Sequence, residues 1–293
     1  MTPIAAVGRD NNLRGRRPAS ESGPRRNRAF ARDRLSPIAS PASIMDHHIF
    51  LIVTAYNEAE QIGATLAGLA SAFPGRPVFL ADDGSSDATA EIGRGAGAYV
   101  LRSERVIGKG AAATLAARAA LRQARDDAGG DAGRGADLDM RAGGRASTFV
   151  FCDGDLGESA AELSALSRAV ERGEADVAVA AFSRRLGGGL GLARGFARWA
   201  IRRRCGLITV APISGQRALR ESALSDVLPF AHGFGMELGM TIDAVRAGHR
   251  VAEIELDLSH RASGRTPAGF AHRAGQLADF VRAYLARGRL ARR

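Results

Sequence analysis

Two carboxylates separated by a single residue form the pattern with the clearest chemical meaning in this chain. Asp153 and Asp155 flank Gly154, directly after the apolar run TFVFC at residues 148–152. Carboxylates at this spacing can reach one hard cation, and Mg²⁺ or Mn²⁺ held by few carboxylates completes its shell with water and substrate phosphate oxygens. Gly154 would remove side-chain bulk where a diphosphate approaches. So short a pattern also occurs by chance in loops. Its position directly after a predicted buried strand makes a metal-binding role more specific.

Acidic residues follow two further apolar runs. Asn57-Glu58 comes after residues 49–56, and Asp82-Asp83 comes after residues 78–81. A single Asp after a strand is commonly a helix cap. Ligands of open parallel sheets, however, bind outside the carboxyl ends of the strands. Three acidic clusters converging on one such edge favour a binding site over capping alone.

Lys109 is the only lysine of the chain, against 40 arginines, and it lies between two glycines. A compact ammonium at this point suits a nucleotide phosphate; a lysine left by chance in an arginine-biased sequence is the alternative. Neither common glycine-rich phosphate motif fits. Gly110 stands where a Walker A loop needs Ser or Thr, and Arg194 takes the third glycine position of a dinucleotide fingerprint.

Apolar runs and helical periodicity alternate along most of the chain. Strands are predicted at residues 49–56, 78–81, 98–102, 148–152 and 176–182, with an alternating edge strand at 250–258. Helices are predicted at residues 58–72, 88–94, 111–124, 159–172 and 196–204, with a short helix after Arg217. This alternation is typical of an α/β fold with a mainly parallel sheet flanked by helices.

Three segments lack such patterns. Residues 1–45 are rich in Arg, Pro, Ser and Gly and predict a disordered basic tail, with Met45 as an alternative start and a transit peptide as another interpretation. Residues 126–147 are of low complexity and predict a surface insertion in a domain at 46–285. Residues 286–293 predict a basic C-terminal tail.

The formal net charge of +10 is unevenly distributed. Residues 1–44 hold nine Arg and three acidic residues, so +6 lies there and +4 in the rest. The charge suits nucleic acid, anionic lipid and sugar-nucleotide phosphates equally. No apolar run approaches the roughly 20 residues that span a bilayer, which argues against a transmembrane enzyme but not a peripheral one. Two cysteines without a CxxC pair indicate a reducing compartment.

In their order and spacing, the motifs resemble the family 2 glycosyltransferases of the GT-A fold, with features of polyprenyl-phosphate sugar transferases. The matching stretches are TAYNE (54–58), ADDGSSDAT (81–89), GKGAA (108–112), FCDGDLGE (151–158), SGQRAL (214–219) and GFGMELGMTIDAVRAGHRVAEIEL (233–256). The resemblance implies a GT-A domain, a nucleotide-diphosphate sugar donor and a metal and diphosphate motif at Asp153 and Asp155, with Asp155 catalytic. The donor-binding residues are then Ala55, Glu58, Asp82, Asp83, Lys109, Asp153 and Gly154.

Acceptor-side candidates lie in the second half of the chain. Inverting sugar transfer needs a carboxylate that takes the acceptor proton, and Glu237 is the candidate, although the Glu-Asp pair of many family members is absent; orienting its helix is the alternative role. His260 can complete a carboxylate-bound metal site. The predicted acceptor-binding set is Ser214, Gly215, Arg217, Arg261 and Arg265. Its three arginines suit an anionic acceptor because guanidinium groups bind phosphate bidentately. The sequence leaves inversion and retention both open.

The leading functional prediction is a glycosyltransferase dependent on Mg²⁺ or Mn²⁺, acting on an anionic acceptor such as polyprenyl phosphate. The basic segment around Trp199 favours a cytoplasmic enzyme at the inner membrane face, or else a solvated helix face; a homodimer is left open. A sugar-nucleotide-forming nucleotidyltransferase is the second interpretation, and the segment GFGME (233–237) argues against it. A nucleic-acid-binding protein is the third; no nucleic acid is expected, because the chain has 5% aromatics and no stacking motif.

Overall fold

A seven-stranded mixed sheet lies at the centre of the part of the chain that the computed structural model describes, residues 48–132, 147–182, 191–258 and 267–288. The strands are β1 (His48–Ala55), β2 (Val78–Asp82), β3 (Tyr99–Arg102), β4 (Ser147–Asp153), β5 (Val177–Phe182), β6 (Arg217–Arg220) and β7 (Val251–Leu256). Their order across the sheet is β3-β2-β1-β4-β6-β5-β7. Neighbouring strands are parallel except at β6, which runs antiparallel to both β4 and β5.

Helices cover both faces of this sheet. They are α1 (Ile62–Ala72), α2 (Thr89–Gly95), α3 (Lys109–Ala132), α4 (Ser164–Glu171), α5 (Leu192–Cys205), α6 (Glu221–Val227), α7 (Gly235–Ala247) and α8 (Pro267–Ala286), with a 3-10 helix at Gly157–Leu163 before α4. The predicted α/β class, with a mainly parallel sheet flanked by helices, is confirmed.

The continuous apolar run of β1 is explained by burial on both faces. Phe50 and Ile52 pack into one core cluster with α3, whereas Leu51 and Val53 pack into a second cluster with α1 and α4. A strand covered on both sides reads as an unbroken apolar stretch rather than an alternating one. The run therefore identified a central strand correctly.

The structure differs from the sequence-based expectation at β6. Residues 217–220 form a strand before α6, where a short helix alone was expected after Arg217. Four residues are too few to show a period, and the strand is stabilised by pairing with β4 on one side and β5 on the other. Tertiary pairing therefore decided the conformation.

The predicted insertion is also shorter than expected at its start. Helix α3 continues to Ala132, so residues 126–132 are helical, and residues 133–146 lie outside the described part of the chain. The predicted tail at 1–45 and most of the basic terminus at 286–293 lie outside it too.

A third apolar cluster holds three helices together away from the sheet. It joins α5, α7 and α8 through Ala197, Ala200, Ile201, Leu238, Ile242, Phe280 and Ala283. Helix α7 contributes its other face to the sheet-side core through Met236, Met240 and Ala244. The position of α5 and α8 is thus fixed relative to the sheet through α7.

Candidate active site

The predicted meeting of acidic loops at one sheet edge is observed. Strands β1, β2 and β4 are parallel neighbours, and their last residues are in register: Thr54 is opposite Asp153, and Ala55 is opposite Asp82. The carboxylates that follow these strands therefore share one edge. This is the edge at which open parallel sheets bind ligands.

Asp153 is held by three side chains from different parts of the chain. Its Oδ1 accepts a hydrogen bond from Thr54 Oγ1 at 3.0 Å and lies 2.6 Å from Lys109 Nζ. Its Oδ2 accepts a hydrogen bond from Gln216 Nε2 at 2.9 Å. Burial by itself raises the pKa of Asp153, but the charge of Lys109 and these hydrogen bonds hold it below its usual value. Asp153 is therefore a carboxylate at neutral pH.

Lys109 bridges Asp153 to Glu237. Its ammonium is 2.7 Å from Glu237 Oε1, on the first turn of α7, and the Glu237 side chain is only 4% exposed. Burial lowers the pKa of Lys109, but the two carboxylates more than offset this and hold it above its ordinary value. The three side chains form a negative–positive–negative row across the site, joining residues 128 positions apart in sequence.

The backbone before Lys109 is positioned by Asp83. Both carboxylate oxygens of Asp83 accept hydrogen bonds from the Gly108 N–H at 3.0 and 3.1 Å, and Oδ1 accepts another from the Ile107 N–H at 2.7 Å. Gly110, on the other side of Lys109, packs so tightly that a Cβ there would lie 1.8 Å from the Ala231 carbonyl oxygen. The glycine is therefore needed for the close approach of two backbones.

The loops after β1 and β2 are joined to each other. The Asn57 N–H donates to Ser85 Oγ at 2.9 Å, and the Glu58 N–H donates to Thr89 Oγ1 at 2.9 Å. Asp82 is fully buried; its Oδ1 accepts from the Ser85 N–H at 2.9 Å, and its Oδ2 lies 3.4 Å from Arg102 Nε. Ala55, Glu58, Asp82 and Asp83 are thus brought together as predicted, and much of their hydrogen bonding shapes the loops.

The structure explains the glycine at position 154 by close packing inside the protein, not by the approach of a diphosphate as predicted. A Cβ at this position would lie 3.1 Å from Ala55 Cβ and 3.3 Å from Ile62 Cδ1, so the space that glycine leaves open is filled by the interior of the protein. Asp155 is half-buried beyond it. Burial raises the pKa of the neighbouring Cys152 thiol, and the charges of Asp153 and Asp155 raise it further. Both carboxylates therefore act on the same end of β4.

These carboxylates fit a divalent cation that also has a ligand from its substrate. The described residues contain no group of three or more His, Cys, Asp or Glu side chains placed to hold a metal ion. Mg²⁺ and Mn²⁺ bound through one or two carboxylates take their remaining ligands from water and phosphate oxygens. The ammonium beside Asp153 shows that a cation is already accommodated at this carboxylate.

The predicted acceptor side is only partly described. Ser214 and Gly215 lie beside Asp153; a Cβ on Gly215 would be 2.5 Å from Asp153 Oδ2. Arg217, by contrast, is only 1% exposed, and its Nε and Nη1 donate to the Ser214 carbonyl and to Thr241 Oγ1, each at 2.8 Å. Its burial contradicts the predicted direct contact with an acceptor. His260, Arg261 and Arg265 lie outside the described residues.

Arg217 instead interacts electrostatically with the carboxylates of the site. Burial lowers the pKa of Arg217 to about 10, against the nearby negative charges of Glu237, Glu253 and Asp153. Arg217 therefore stays charged at neutral pH and supplies a positive charge behind the row formed by Asp153, Lys109 and Glu237.

Sequence reasoning missed three residues that position the site. Thr54 and Gln216 bind Asp153, and Glu253 on β7 accepts hydrogen bonds from Thr209 Oγ1, the Val210 N–H at 2.8 Å and the Ala211 N–H at 2.8 Å. Thr54 could have been found, because it lies near the end of β1 as Asp153 lies at the end of β4. Gln216 and Glu253 could not, because the pairing of β6 and of β7 with β5 joins residues far apart in sequence.

Comparison with known proteins agrees with this geometry. Residues 50–124 match the family model "Glycosyl transferase family 2". Glucosyl-3-phosphoglycerate synthase from Mycobacterium tuberculosis, in complex with Mn²⁺, uridine diphosphate and glucosyl-3-phosphoglycerate, superposes with a TM-score of 0.59 at 20% identity, covering 84% of this chain and 82% of that one. The same enzyme with Mn²⁺, UDP-glucose and glycerol 3-phosphate gives 0.59 at 21% identity, covering 84% and 82%. A further structure, described only as a mycobacterial protein, gives 0.57 at 22%, covering 81% and 75%.

No curated protein sequence matches the chain. The likeness to these structures shows the shared fold, and the family match confirms the predicted family 2 resemblance for residues 50–124, which carry the first three strands.

Proposed function

Because residues 50–124 match the glycosyl transferase family 2 model, we propose that this protein transfers a glycosyl group from a nucleoside-diphosphate sugar to an anionic acceptor, with Mg²⁺ or Mn²⁺ as cofactor. The observation that carries the proposal is the row of Asp153, Lys109 and Glu237 at the carboxyl edge of the sheet. The Asp153 carboxylate can bind a metal ion, the Lys109 ammonium can bind a phosphate, and the Glu237 carboxylate can accept a proton. The same fold binds Mn²⁺ and UDP-glucose in glucosyl-3-phosphoglycerate synthase.

In this proposal, the loops after β1 and β2 hold the nucleoside, with Ala55, Glu58, Asp82 and Asp83 as its contacts. Asp155 and Asp153 would hold the divalent cation, with His260 as the further predicted ligand. When bound, the cation would stabilise the charge that grows on the departing nucleoside diphosphate. Lys109 would bind a phosphate oxygen of the same group.

Glu237 is the proposed acceptor-side base. As the bond from the anomeric carbon to the diphosphate oxygen breaks, an acceptor O–H, of an alcohol or of a singly protonated phosphate, bonds to that carbon through its oxygen, and its proton passes to the Glu237 carboxylate. The burial of Glu237 beside a single ammonium keeps water away from that carboxylate. Ser214 and Gly215 border the space beside Asp153 and are proposed to contact the acceptor, as are Arg261 and Arg265.

A donor screen tests the proposal. Nucleoside-diphosphate sugars are offered with Mn²⁺ or Mg²⁺ to the full chain, and the release of nucleoside diphosphate and the anomeric configuration of the product are measured. Metal-dependent release stimulated by a phosphorylated acceptor is the expected result. Release of pyrophosphate from a nucleoside triphosphate and a sugar phosphate would favour a nucleotidyltransferase instead. Failure of every donor to bind would overturn the proposal.

A lipid phosphate acceptor such as polyprenyl phosphate is supported by the surface that leads to the site. Helix α5 has five arginines and no acidic residue, and its solvent face carries Leu192 and Trp199, 68% and 51% exposed. The loop after α5 exposes Ile208, Val210 and Ile213 and continues into Ser214 and Gly215. A basic surface with apolar and aromatic side chains is complementary to an anionic membrane. We therefore propose contact with an anionic lipid surface at the cytoplasmic face.

The described part of the chain has no helix long and apolar enough to cross a membrane. Membrane contact can be measured through Trp199, because the chain has one tryptophan. Vesicles containing phosphatidylglycerol should shift its emission to shorter wavelengths in a salt-sensitive manner, and phosphatidylcholine vesicles should not. Arg202→Glu with Arg203→Glu should abolish the shift. If vesicles change neither the Trp199 emission nor the sedimentation coefficient of the protein, a water-soluble phosphorylated acceptor is favoured. If the Trp199 emission shifts with protein concentration in the absence of lipid, a homodimer is favoured.

A further inference from the structure

A single ammonium holds two carboxylates that the proposed reaction uses for different purposes. Lys109 Nζ lies 2.6 Å from Asp153 Oδ1 and 2.7 Å from Glu237 Oε1. Asp153 belongs to the proposed cation site, and Glu237 is the proposed base. Both are engaged by the same positive charge in this structure. A reaction that needs both carboxylates must therefore first move Lys109.

We propose that Lys109 is a binding switch, which keeps Asp153 and Glu237 paired until a nucleoside diphosphate draws its ammonium away. The divalent cation then binds tightly only together with the nucleotide. This inference rests on the proposed function and adds the order in which the site is assembled. The nucleotide and the cation come first, and the acceptor base is released by their arrival.

The contacts of Asp153 show why a cation alone binds poorly. Oδ1 already has Lys109 Nζ and Thr54 Oγ1 as partners, and Oδ2 accepts from Gln216 Nε2. A metal ion added at Oδ1 would lie next to an ammonium, and like charges repel at this distance. Loss of that ammonium from Oδ1 removes the repulsion and leaves an acceptor position open.

The anchoring of Lys109 allows this movement. Its backbone is fixed by the hydrogen bonds of Asp83 to Ile107 and Gly108 and by the close packing of Gly110. Its side chain is a flexible four-carbon stem with three donors. The ammonium can therefore change partners while the loop stays in place. A diphosphate offers it more negative charge than either carboxylate.

Glu237 does not lose all its support when Lys109 leaves. Arg217, buried behind it, interacts electrostatically with Glu237, and the Arg217 Nη2 has no hydrogen-bond partner among the described residues. The Glu237 carboxylate thus stays compensated while one of its oxygens becomes available. This arrangement links the availability of the base to occupation of the donor site.

Mn²⁺ binding tests the switch without a catalytic assay. Free Mn²⁺ is measured by electron paramagnetic resonance in titrations of the wild-type protein with and without UDP, corrected for the Mn²⁺ that UDP binds in solution. Wild type should bind Mn²⁺ at least about 10-fold more tightly with UDP. In Lys109→Met, Mn²⁺ alone should bind about 10-fold more tightly than in wild type, and UDP should add less to this affinity than it adds in wild type. Arg94→Met removes one exposed charge and is the matched control, expected to resemble wild type.

A second measurement needs no variant. Because the chain has one lysine, protein labelled with ¹⁵N at lysine Nζ gives one side-chain resonance. UDP with Mg²⁺ should shift this resonance, whereas Mg²⁺ alone should leave it in place. A resonance unmoved by saturating UDP with Mg²⁺, or a Lys109→Met protein that binds Mn²⁺ no more tightly than wild type, would overturn the switch.

The two hypotheses fail differently. Absence of UDP binding in the wild-type protein would contradict the proposed function itself. UDP binding with an unmoved lysine resonance would leave that function intact and remove only the switch.

Discussion

At the residue scale, Asp153 and Asp155 have different surroundings although they are two positions apart. Asp153 is bound by Thr54, Lys109 and Gln216, so its charge is largely compensated within the protein. Asp155 lies half-buried beyond it. The sequence identified both carboxylates because they follow a buried strand. It could not predict the three partners of Asp153, since the closest of them in sequence is 44 positions away.

Asp155→Asn keeps the shape of the side chain and removes one negative charge from the proposed cation site. We expect Mn²⁺ binding in the presence of UDP to weaken and turnover to fall on the order of 10²-fold, because an electrostatic stabiliser of a developing anion is lost. The melting temperature should hardly change. Titrations of Mn²⁺ binding and of turnover against Mn²⁺ measure both effects.

Asp127→Asn, on the exposed face of α3, is the control and should match wild type in both titrations. If Asp155 only capped the helical segment that follows, its substitution would cost about 1 kcal/mol of unfolding free energy and leave the metal response unchanged. That pattern would contradict its catalytic assignment.

At the scale of the elements, the start of α3 is the part of the site that tolerates least change. Gly110→Ala would place a Cβ 1.8 Å from the Ala231 carbonyl oxygen, so either α3 or the loop at 231–233 must move. We expect lower stability, by about 1–3 kcal/mol for such overpacking, and weaker UDP binding because Lys109 is displaced. Urea unfolding and UDP titration measure the two effects.

Gly129→Ala is the matched control in the same helix. Nothing lies within 4 Å of a Cβ at Gly129. An alanine there should raise the unfolding free energy by up to about 1 kcal/mol through helix propensity. Equal behaviour of the two variants would show that the close packing at Gly110 does not matter.

Asp176 joins the starts of β5 and β7 to the end of β6. Its carboxylate accepts from the Arg250 N–H at 2.8 Å and from the Arg250 and Arg220 guanidinium groups. Burial raises the pKa of Asp176, but the bonds from Arg250 and the charge of Arg220 outweigh it, so the pKa lies below 3.8. A lowered pKa in the folded state means that this stabilisation is present at neutral pH and is lost as the pH falls below about 3.8.

Asp176→Asn should therefore lower the unfolding free energy by about 1–2 kcal/mol at pH 7, given that both arginines are half-exposed. The difference from wild type should shrink in urea titrations near pH 3. Glu174→Gln, in an exposed pair with Arg172, should stay within about 0.5 kcal/mol of wild type. A difference that does not depend on pH would exclude the ionic contribution of Asp176.

How far the fold could be predicted depended on the length of each element. β1 and β4 are long and buried on both faces, so their apolar runs were sufficient. The alternation of apolar and acidic residues in β7 identified it as an edge strand, which the sheet order confirms. β6 could not be predicted, because its four residues are held by β4 and β5 rather than by a pattern of their own. Because β6 was not predicted, the burial of Arg217 at its start was not foreseen, and Arg217 was assigned to the acceptor site.

At the scale of the whole molecule, the cluster of α5, α7 and α8 connects the basic surface to the site. Phe280 is 2% exposed in this cluster, and α7 carries Glu237 at its start. Phe280→Ala should lower the unfolding free energy by about 3–5 kcal/mol, the usual cost of emptying a buried aromatic site. It should also weaken vesicle binding, because α5 loses a packing partner.

Leu285→Ala in the same helix is the control. Leu285 is 66% exposed, so its substitution should change the unfolding free energy by less than about 0.5 kcal/mol. Thermal or urea unfolding of both variants gives the comparison. A Phe280→Ala protein as stable as Leu285→Ala would contradict the assignment of a third core.

The position of β6 has a consequence for synthesis of the chain. β4 and β5 are made one after the other, yet in the sheet they are separated by a strand that is made later. While residues 183–216 are being translated, the facing edges of β4 and β5 have no hydrogen-bonding partner. Unpaired strand edges are templates for pairing with other chains, and partly folded domains on the ribosome expose them. The arrival of residues 217–220 therefore closes the gap between β4 and β5, while the other edge of β5 stays unpaired until β7 is made.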